Sequence, residues 1–155
     1  MNKNYINIYN NFVKLTRNKE LYQSFKNQDT FSDRLIFFLL HFAFFLKIYK
    51  ENNDKNLLQE IYDYIFRQVE LSIREIGYGD QSINKKMKNY LNLFYGMIDK
   101  IHNWESLTNE SRATLLEKFL DNAKNTQYLA NYFEKYRINL KNNTLNSQIK
   151  GVIKH

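Results

Sequence analysis

The segment Leu35-Ile-Phe-Phe-Leu-Leu-His-Phe-Ala-Phe-Phe-Leu46 decides the fold, because it is apolar on every face of a helix. It places 12 residues between Arg34 and Lys47, whereas a membrane-spanning helix needs about 20. A helix that is apolar all round is most often buried inside a protein. We therefore predict a central core helix here, with an interfacial segment at a membrane as the alternative.

Amphipathic segments flank this core helix on both sides. Apolar residues at helical spacing predict further helices at about residues 3–16, 20–25, 55–76, 83–104, 109–121 and 124–140. The sequence therefore predicts an all-α fold, a single compact bundle of about six to seven helices over residues 1–141. Residues 142–155 are polar and basic, and we expect this tail to fray.

Short breaks between the helices carry residues that cap helices. A turn is expected at 27–30, and Thr30 or Ser32 is expected to cap the central helix. Gly77 is placed to end the 55–76 helix, and Asp80 or Ser82 to cap the next one.

The composition supports long helices and excludes cysteine chemistry. The 155 residues are 43% hydrophobic, enough for one domain with a real core. The chain has no proline and only four glycines, which disfavours a turn-rich β fold, although an AT-rich genome also depletes both residues. The absence of cysteine excludes disulfides, thiolate metal sites and a cysteine nucleophile.

The charge balance favours an anionic partner. A net charge of +7 attracts nucleic acid, acidic lipid or an acidic protein, unless the lysines only reflect codon bias.

Residues 1–10 lack the apolar stretch of a signal peptide and the Arg- and Ser-rich character of a transit peptide. We therefore expect an intracellular location.

No residue pattern predicts a catalytic or metal site. None of His41, His102 and His155 has a second histidine at metal-binding spacing. His41 is expected to be a buried, hydrogen-bonded core residue, with a contact in a partner groove or a haem ligand as alternatives. Gly77-x-Gly79 lacks the third glycine of a dinucleotide site and the Gly-Lys-Ser/Thr of a P-loop. The sequence thus predicts a non-enzymatic binding protein without a cofactor.

The segment Leu71-Ser-Ile-Arg-Glu-Ile-Gly-Tyr-Gly-Asp-Gln-Ser-Ile-Asn-Lys-Lys-Met-Lys-Asn-Tyr-Leu-Asn-Leu-Phe-Tyr-Gly96 resembles the hallmark of the ubiquinol–cytochrome c chaperone family. The family pattern reads Leu-Arg-Glu-x-Gly-x-Gly-Asp, then Lys-x-Met-Lys, then Phe-Tyr-Gly. The matching residues here are Arg74, Glu75, Gly77, Gly79, Asp80, Lys85, Met87, Lys88, Phe94, Tyr95 and Gly96. The likeness runs from about residue 21 to 101, and its upstream part includes Asp29-Thr30, Arg34, Leu40-His41, Asp63 and Phe66.

Three departures from the family pattern concern the partner surface. Gln68-Val69-Glu70 stands where the family often has Asp-Met-Asp. Asn84 stands where a proline often opens the helix, and Met97 where an arginine often follows Tyr-Gly.

The resemblance implies an assembly factor for ubiquinol–cytochrome c reductase, the cytochrome bc complex or complex III. Such a chaperone binds newly made cytochrome b, in some members with a small partner subunit and near the ribosome. A bacterial member would act at the cytoplasmic face of the inner membrane and would recognise no specific nucleic-acid sequence. The expected partner contacts are Arg74, Glu75, Asp80, Lys85, Met87, Lys88, Tyr95 and His41.

The other motif residues are expected to shape the fold. This set consists of Gly77, Gly79, Gly96, Asp63, Phe66 and Arg34. Gly77 is expected to allow positive φ, and Gly96 to permit close helix packing. For Arg74, Glu75 and Lys88, shaping the hairpin remains an alternative to contacting the partner.

Two other classes of function compete with the chaperone. A peripheral membrane protein would insert the 35–46 segment into lipid. A ribosome- or RNA-binding protein would be driven by the basic charge.

Overall fold

The protein is an all-α bundle, as the sequence predicts. The computed structural model describes residues 4–22, 31–77, 79–120 and 126–155. Within these ranges the chain forms seven α-helices and no strand: α1 (Ile6–Thr16), α2 (Phe31–Tyr49), α3 (Lys55–Glu75), α4 (Asp80–Ile101), α5 (Asn109–Glu117), α6 (Thr126–Lys141) and α7 (Leu145–Lys150). Two 3-10 turns, Lys19–Tyr22 and Trp104–Ser106, follow α1 and α4.

The apolar segment forms the middle of α2, and α1, α4 and α6 pack around it. Its aromatic rings interlock with those of the neighbouring helices. Phe42 stacks on Phe94 of α4 with ring centroids 5.2 Å apart, and Phe44 stacks on Phe133 of α6 at 5.3 Å. Because its residues from 37 to 45 are buried, this segment is not an insertion face in the folded protein, and the interfacial alternative is wrong.

Ser32, one of the two residues expected to cap α2, does not cap it. Ser32 lies in the first turn of the helix rather than before it, since α2 already begins at Phe31. Thr30 and the expected turn at 27–30 lie outside the described residues.

The C-terminal tail does not fray as expected, because residues within it form α7. The Thr144 hydroxyl accepts a hydrogen bond from the Ser147 amide at 3.0 Å, which caps the start of the helix. Gly151 ends the helix at φ +76°, and Leu145 is buried. A composition-based reading missed this helix because its six residues are mostly polar.

Side-chain hydrogen bonds tie the tail to the bundle. Gln148 donates to the hydroxyl of Tyr49 in α2 at 3.1 Å. The Asn143 side chain donates to the Lys154 carbonyl at 2.9 Å and accepts from the Lys154 amide at 2.8 Å. The Asn7 amide of α1 donates to the Ile149 carbonyl at 3.1 Å, so the two ends of the chain meet.

Candidate functional site

The α3–α4 hairpin carries the motif of residues 71–96. Gly77 follows the end of α3 with φ +98°, the positive φ expected for it, and its amide donates to the Arg74 carbonyl at 3.0 Å. Any residue with a Cβ is strained in that region of backbone space. Gly79 is the N-cap of α4, and no other residue lies within 4 Å of the place where its Cβ would be.

An ion pair closes the hairpin. Arg74 at the end of α3 donates to the Asp80 carboxylate at 2.9 Å and to the Glu70 carboxylate at 3.3 Å. The hydrogen bond that Arg74 donates to Asp80, followed by the one it donates to Glu70, raises the pKa of the Arg74 guanidinium. Asp80 is the first residue of α4 and not its cap, contrary to expectation, because its side chain reaches back to Arg74. Ser82 also lies inside the helix.

The α4 residues of the motif divide between solvent and core. Lys85, Lys88 and Tyr95 are exposed, whereas Met87 is half-buried against the core. The Tyr95 hydroxyl lies 2.8 Å from the hydroxyl of Tyr62 in α3, which ties the two helices together near their other ends. The hairpin is thus fastened at the loop by an ion pair and further along by a tyrosine pair.

Glu75 and Arg34 line a groove of about 380 Å³ between α1, α2 and α3. Its apolar wall includes Leu35 and Phe38, and Arg17 of α1 also faces it. Glu75 therefore lines the same groove as Arg17 and Arg34, on the side of α3 that faces α1 and α2.

A larger groove of about 720 Å³ lies between α2, α3 and α4, and sequence reasoning missed it. Its apolar residues are Leu46, Leu58, Tyr62 and Ile98, and its polar rim consists of Lys47, Lys50, Glu51, Lys55, Gln59, His102 and Glu105. Three lysines around the break after the apolar segment were the available sequence signal. Lys47 is already engaged, because its ammonium donates to the His102 carbonyl at 2.9 Å and pairs with Glu105 at 3.0 Å.

His41 lies in the core and not on the hairpin surface. Its Nδ1 lies 2.6 Å from the Phe37 carbonyl and therefore donates to it, while its Nε2 accepts from the Tyr132 hydroxyl at 2.7 Å. Burial lowers the pKa of His41 to about 4, although the bond to Phe37 favours the protonated form. With both ring nitrogens bonded and no exposed surface, His41 matches the core interpretation.

The remaining motif residues have mainly local contacts. Asp63 is exposed and accepts a hydrogen bond from Gln59 at 2.9 Å. Phe66 is buried, edge-on to Phe94 with centroids 5.1 Å apart. A Cβ at Gly96 would lie 3.9 Å from a ring carbon of Phe119, an ordinary contact, so close helix packing does not require glycine there.

The described residues contain no arrangement typical of metal binding or of membrane crossing. Across the four described ranges, no three His, Cys, Asp or Glu side chains are grouped as a metal ion would need. In the same part of the chain, no helix combines the length and the apolar character needed to cross a bilayer.

Comparison with known proteins shows similarity to a family model and to a solved structure. The family described as ubiquinol-cytochrome C chaperone matches residues 23–135. The crystal structure of the Cbp3 homolog from Brucella abortus is similar to this chain, with a TM-score of 0.74 and 25% sequence identity. That similarity covers 97% of this chain and 87% of that chain, while no curated protein matches. Since the family match spans α2 to α6 and includes the whole hairpin, the chain belongs to the ubiquinol–cytochrome c chaperone family.

Proposed function

We propose that this protein is a non-enzymatic assembly chaperone for ubiquinol–cytochrome c reductase, and that its client is newly made cytochrome b. The observation that carries this proposal is the family match over residues 23–135, supported by the similarity to the Cbp3 homolog over nearly the whole chain. The chaperone acts by reversible binding at the cytoplasmic face of the inner membrane. A small partner subunit and the ribosome are its other proposed partners.

We place the client surface on the α3–α4 hairpin. Among the described residues, five large hydrophobic side chains are exposed, and three of them belong to this hairpin. They are Leu71, Ile76 and Tyr95, with exposed fractions of 42%, 48% and 55%. Exposed apolar side chains bordered by polar ones are typical of protein-binding surfaces. Lys85 and Lys88 supply that polar border.

The hairpin is held in shape without the client. The Arg74–Asp80 pair and the Tyr62–Tyr95 pair both join α3 to α4. A preorganised surface loses less conformational entropy on binding, which favours affinity. This rigidity also leaves two roles for Arg74 and Asp80, because the same side chains can shape the loop and contact the client.

Exchanging the two charges separates these roles. The Arg74→Asp/Asp80→Arg double variant can form the same pair in reverse, whereas Arg74→Ala cannot form it at all. If the residues contact the client, both variants fold normally and both retain less cytochrome b in co-purification from detergent-solubilised cells. Full recovery of cytochrome b by the exchanged pair would assign Arg74 and Asp80 to loop shaping only.

Lysine substitution tests the surface itself. The Lys85→Gln/Lys88→Gln variant is expected to retain at least tenfold less cytochrome b at an unchanged unfolding midpoint, since both side chains point to solvent. The matched control is Lys100→Gln/Lys118→Gln, which removes two exposed charges that lie outside residues 71–96 and line a groove beside α5. Equal retention of cytochrome b by the unchanged chain and by both double variants would show that the client surface does not lie on the hairpin.

A further inference from the structure

The net positive charge of this chain comes from the residues near its two ends, outside 23–135. Residues 23–135, the part that matches the family, contain 15 Lys and Arg and 15 Asp and Glu. The remaining residues contain eight Lys and Arg and one acidic residue, Glu20. The whole net charge of +7 therefore lies outside the family-matched segment.

The fold brings these two ends together. Helix α7 packs against α1, and the Asn7 side chain of α1 donates to the Ile149 carbonyl at 3.1 Å. Lys14 lies two turns further along the exposed face of α1 that begins at Asn7. The last residues turn back along α6, because the Asn139 side chain donates to the Lys154 carbonyl at 2.8 Å. One side of the molecule thus combines Lys14 of the N-terminal end with Lys150 and Lys154 of the C-terminal end.

This terminal basic surface has unpaired cations and exposed apolar groups. It consists of Lys14, Lys135, Ile138, Lys150, Val152 and Lys154, all of them exposed. In the part of the chain that the structure describes, none of its four lysines forms an ion pair. Glu134, the acidic residue that precedes Lys135 in the sequence, is already paired with Arg112 and Arg137.

We propose that the terminal basic surface docks the protein on an anionic lipid bilayer. The proposal deepens the proposed function, because it gives the chaperone a membrane-facing side distinct from the hairpin. Lysines beside the bilayer bind anionic headgroups, and exposed aliphatic side chains between them enter the interfacial region. Val152 is 66% exposed and Ile138 is 46% exposed, and they are the other two of the five exposed large hydrophobics.

The apolar groups favour lipid over nucleic acid as the partner. RNA would be bound by cations together with exposed aromatic rings that stack on bases. On the terminal basic surface the exposed apolar residues are aliphatic, with no aromatic side chain among them. Cations with aliphatic side chains suit a headgroup layer above acyl chains.

Vesicle sedimentation with the purified full chain tests the proposal. The probes are vesicles of phosphatidylcholine alone and vesicles that also contain phosphatidylglycerol. We expect binding only to the second kind, weakened by salt. Each lysine near an anionic surface contributes roughly a factor of five, so Lys150→Gln/Lys154→Gln should lower the partition coefficient about 25-fold. Val152→Asn should lower the fraction of protein that still sediments with the vesicles at high salt.

Controls keep this test independent of the client. Lys100→Gln/Lys118→Gln removes the same charge elsewhere and should bind vesicles at least fivefold more tightly than the terminal variant. In detergent, the terminal variant should co-purify cytochrome b as the unchanged chain does, so failure of the client proposal stays distinguishable. Equal loss in both double variants would overturn the docking surface, as would binding of a short single-stranded RNA without binding of anionic vesicles.

Discussion

At the scale of single residues, His41 shows how a polar group is accommodated in an aromatic core. Its two ring nitrogens have one partner each, and the rings of Tyr132, Phe133 and Tyr136 lie within 5.5 Å of it, centroid to centroid. The neutral tautomer satisfies this site, and a buried polar group without partners would be costly. Protonation would put a charge in the core, which is why burial lowers its pKa.

The lowered pKa of His41 predicts a loss of stability in mild acid. The folded-state value is about 4 and the ordinary value 6.5, so the unfolded chain binds the proton more readily between these limits. Stability is therefore full above pH 6.5 and falls as the pH drops towards 4, by about 2 kcal/mol between pH 7 and pH 5. Urea unfolding followed by the fluorescence of Trp104, the single tryptophan, measures it.

His41→Gln is the variant that identifies the titrating group. It should flatten the dependence between pH 7 and pH 5, whereas His102→Gln, at an exposed position, should retain it. If the free energy of unfolding of the His41→Gln variant still fell as steeply between pH 7 and pH 5, another group would cause the loss of stability.

Two glycines of the motif should respond to alanine with opposite signs. Gly77→Ala forces a Cβ into φ +98° and should destabilise the protein by about 1 kcal/mol. Gly96→Ala lies inside α4, where its Cβ makes an ordinary contact with Phe119, and should stabilise it by about 0.5–1 kcal/mol. Thermal unfolding of both variants checks this, and destabilisation by Gly96→Ala would show that α4 packs more tightly than the structure indicates.

At the scale of elements, hydrophobic periodicity predicted the long helices because their apolar faces are continuous. Helix α3 was expected at 55–76 and lies at Lys55–Glu75. Of the stripe expected to face inward, Leu58, Ile61, Ile65 and Val69 are buried, whereas Ser72 is half-buried and Ile76, beyond the helix end, is 48% exposed. Helix α7 was missed because hydrogen bonds to distant residues stabilise it, and such bonds leave no periodic signal. The prediction that Asp80 caps α4 was wrong for a similar reason, because the Asp80 side chain pairs with Arg74 on the other side of the loop.

Tyr49 is the residue through which α2 fixes the C-terminal elements. Its hydroxyl lies 2.8 Å from the Leu140 carbonyl and 3.0 Å from the Asn143 carbonyl, and it accepts from Gln148. Tyr49→Phe would leave buried polar groups without a partner and should destabilise the protein by about 1–3 kcal/mol. Hydrogen exchange should show α7 opening first.

The matched control for this substitution is Tyr64→Phe. Among the described residues, the Tyr64 hydroxyl bonds only to Asn4, at 3.3 Å in an exposed position, so its loss should change the unfolding free energy by less than about 0.5 kcal/mol. Equal effects of the two substitutions would contradict the anchoring role of Tyr49.

At the scale of the whole molecule, the sequence predicted the motif residues but not the surfaces they form. Residues adjacent in the motif separate in space, since Glu75 faces α1 and α2 while Arg74 turns to Asp80. The groove of about 720 Å³ combines residues of the three successive helices α2, α3 and α4, from Leu46 to Glu105, so no single local pattern predicts it. The net charge is evident from the composition, but the meeting of basic residues from the two ends depends on the packing of α1 against α7.

The arrangement gives the protein two separate exposed surfaces. The hairpin, with Leu71, Ile76 and Tyr95, is the proposed client surface, and the terminal basic surface is the proposed membrane-docking surface. A rigid bundle between them would hold a client at a fixed distance from the bilayer. The central claim is that cytochrome b is the client of this protein.

The most direct test of that claim is a reduced-minus-oxidised difference spectrum of membranes from the native host after deletion of the gene. The account predicts that the b-type and c-type signals of ubiquinol–cytochrome c reductase are lost while other respiratory complexes stay intact. The full chain and the Lys100→Gln/Lys118→Gln control should restore them, and Lys85→Gln/Lys88→Gln should not. Unchanged spectra in the deletion strain would contradict the assembly role.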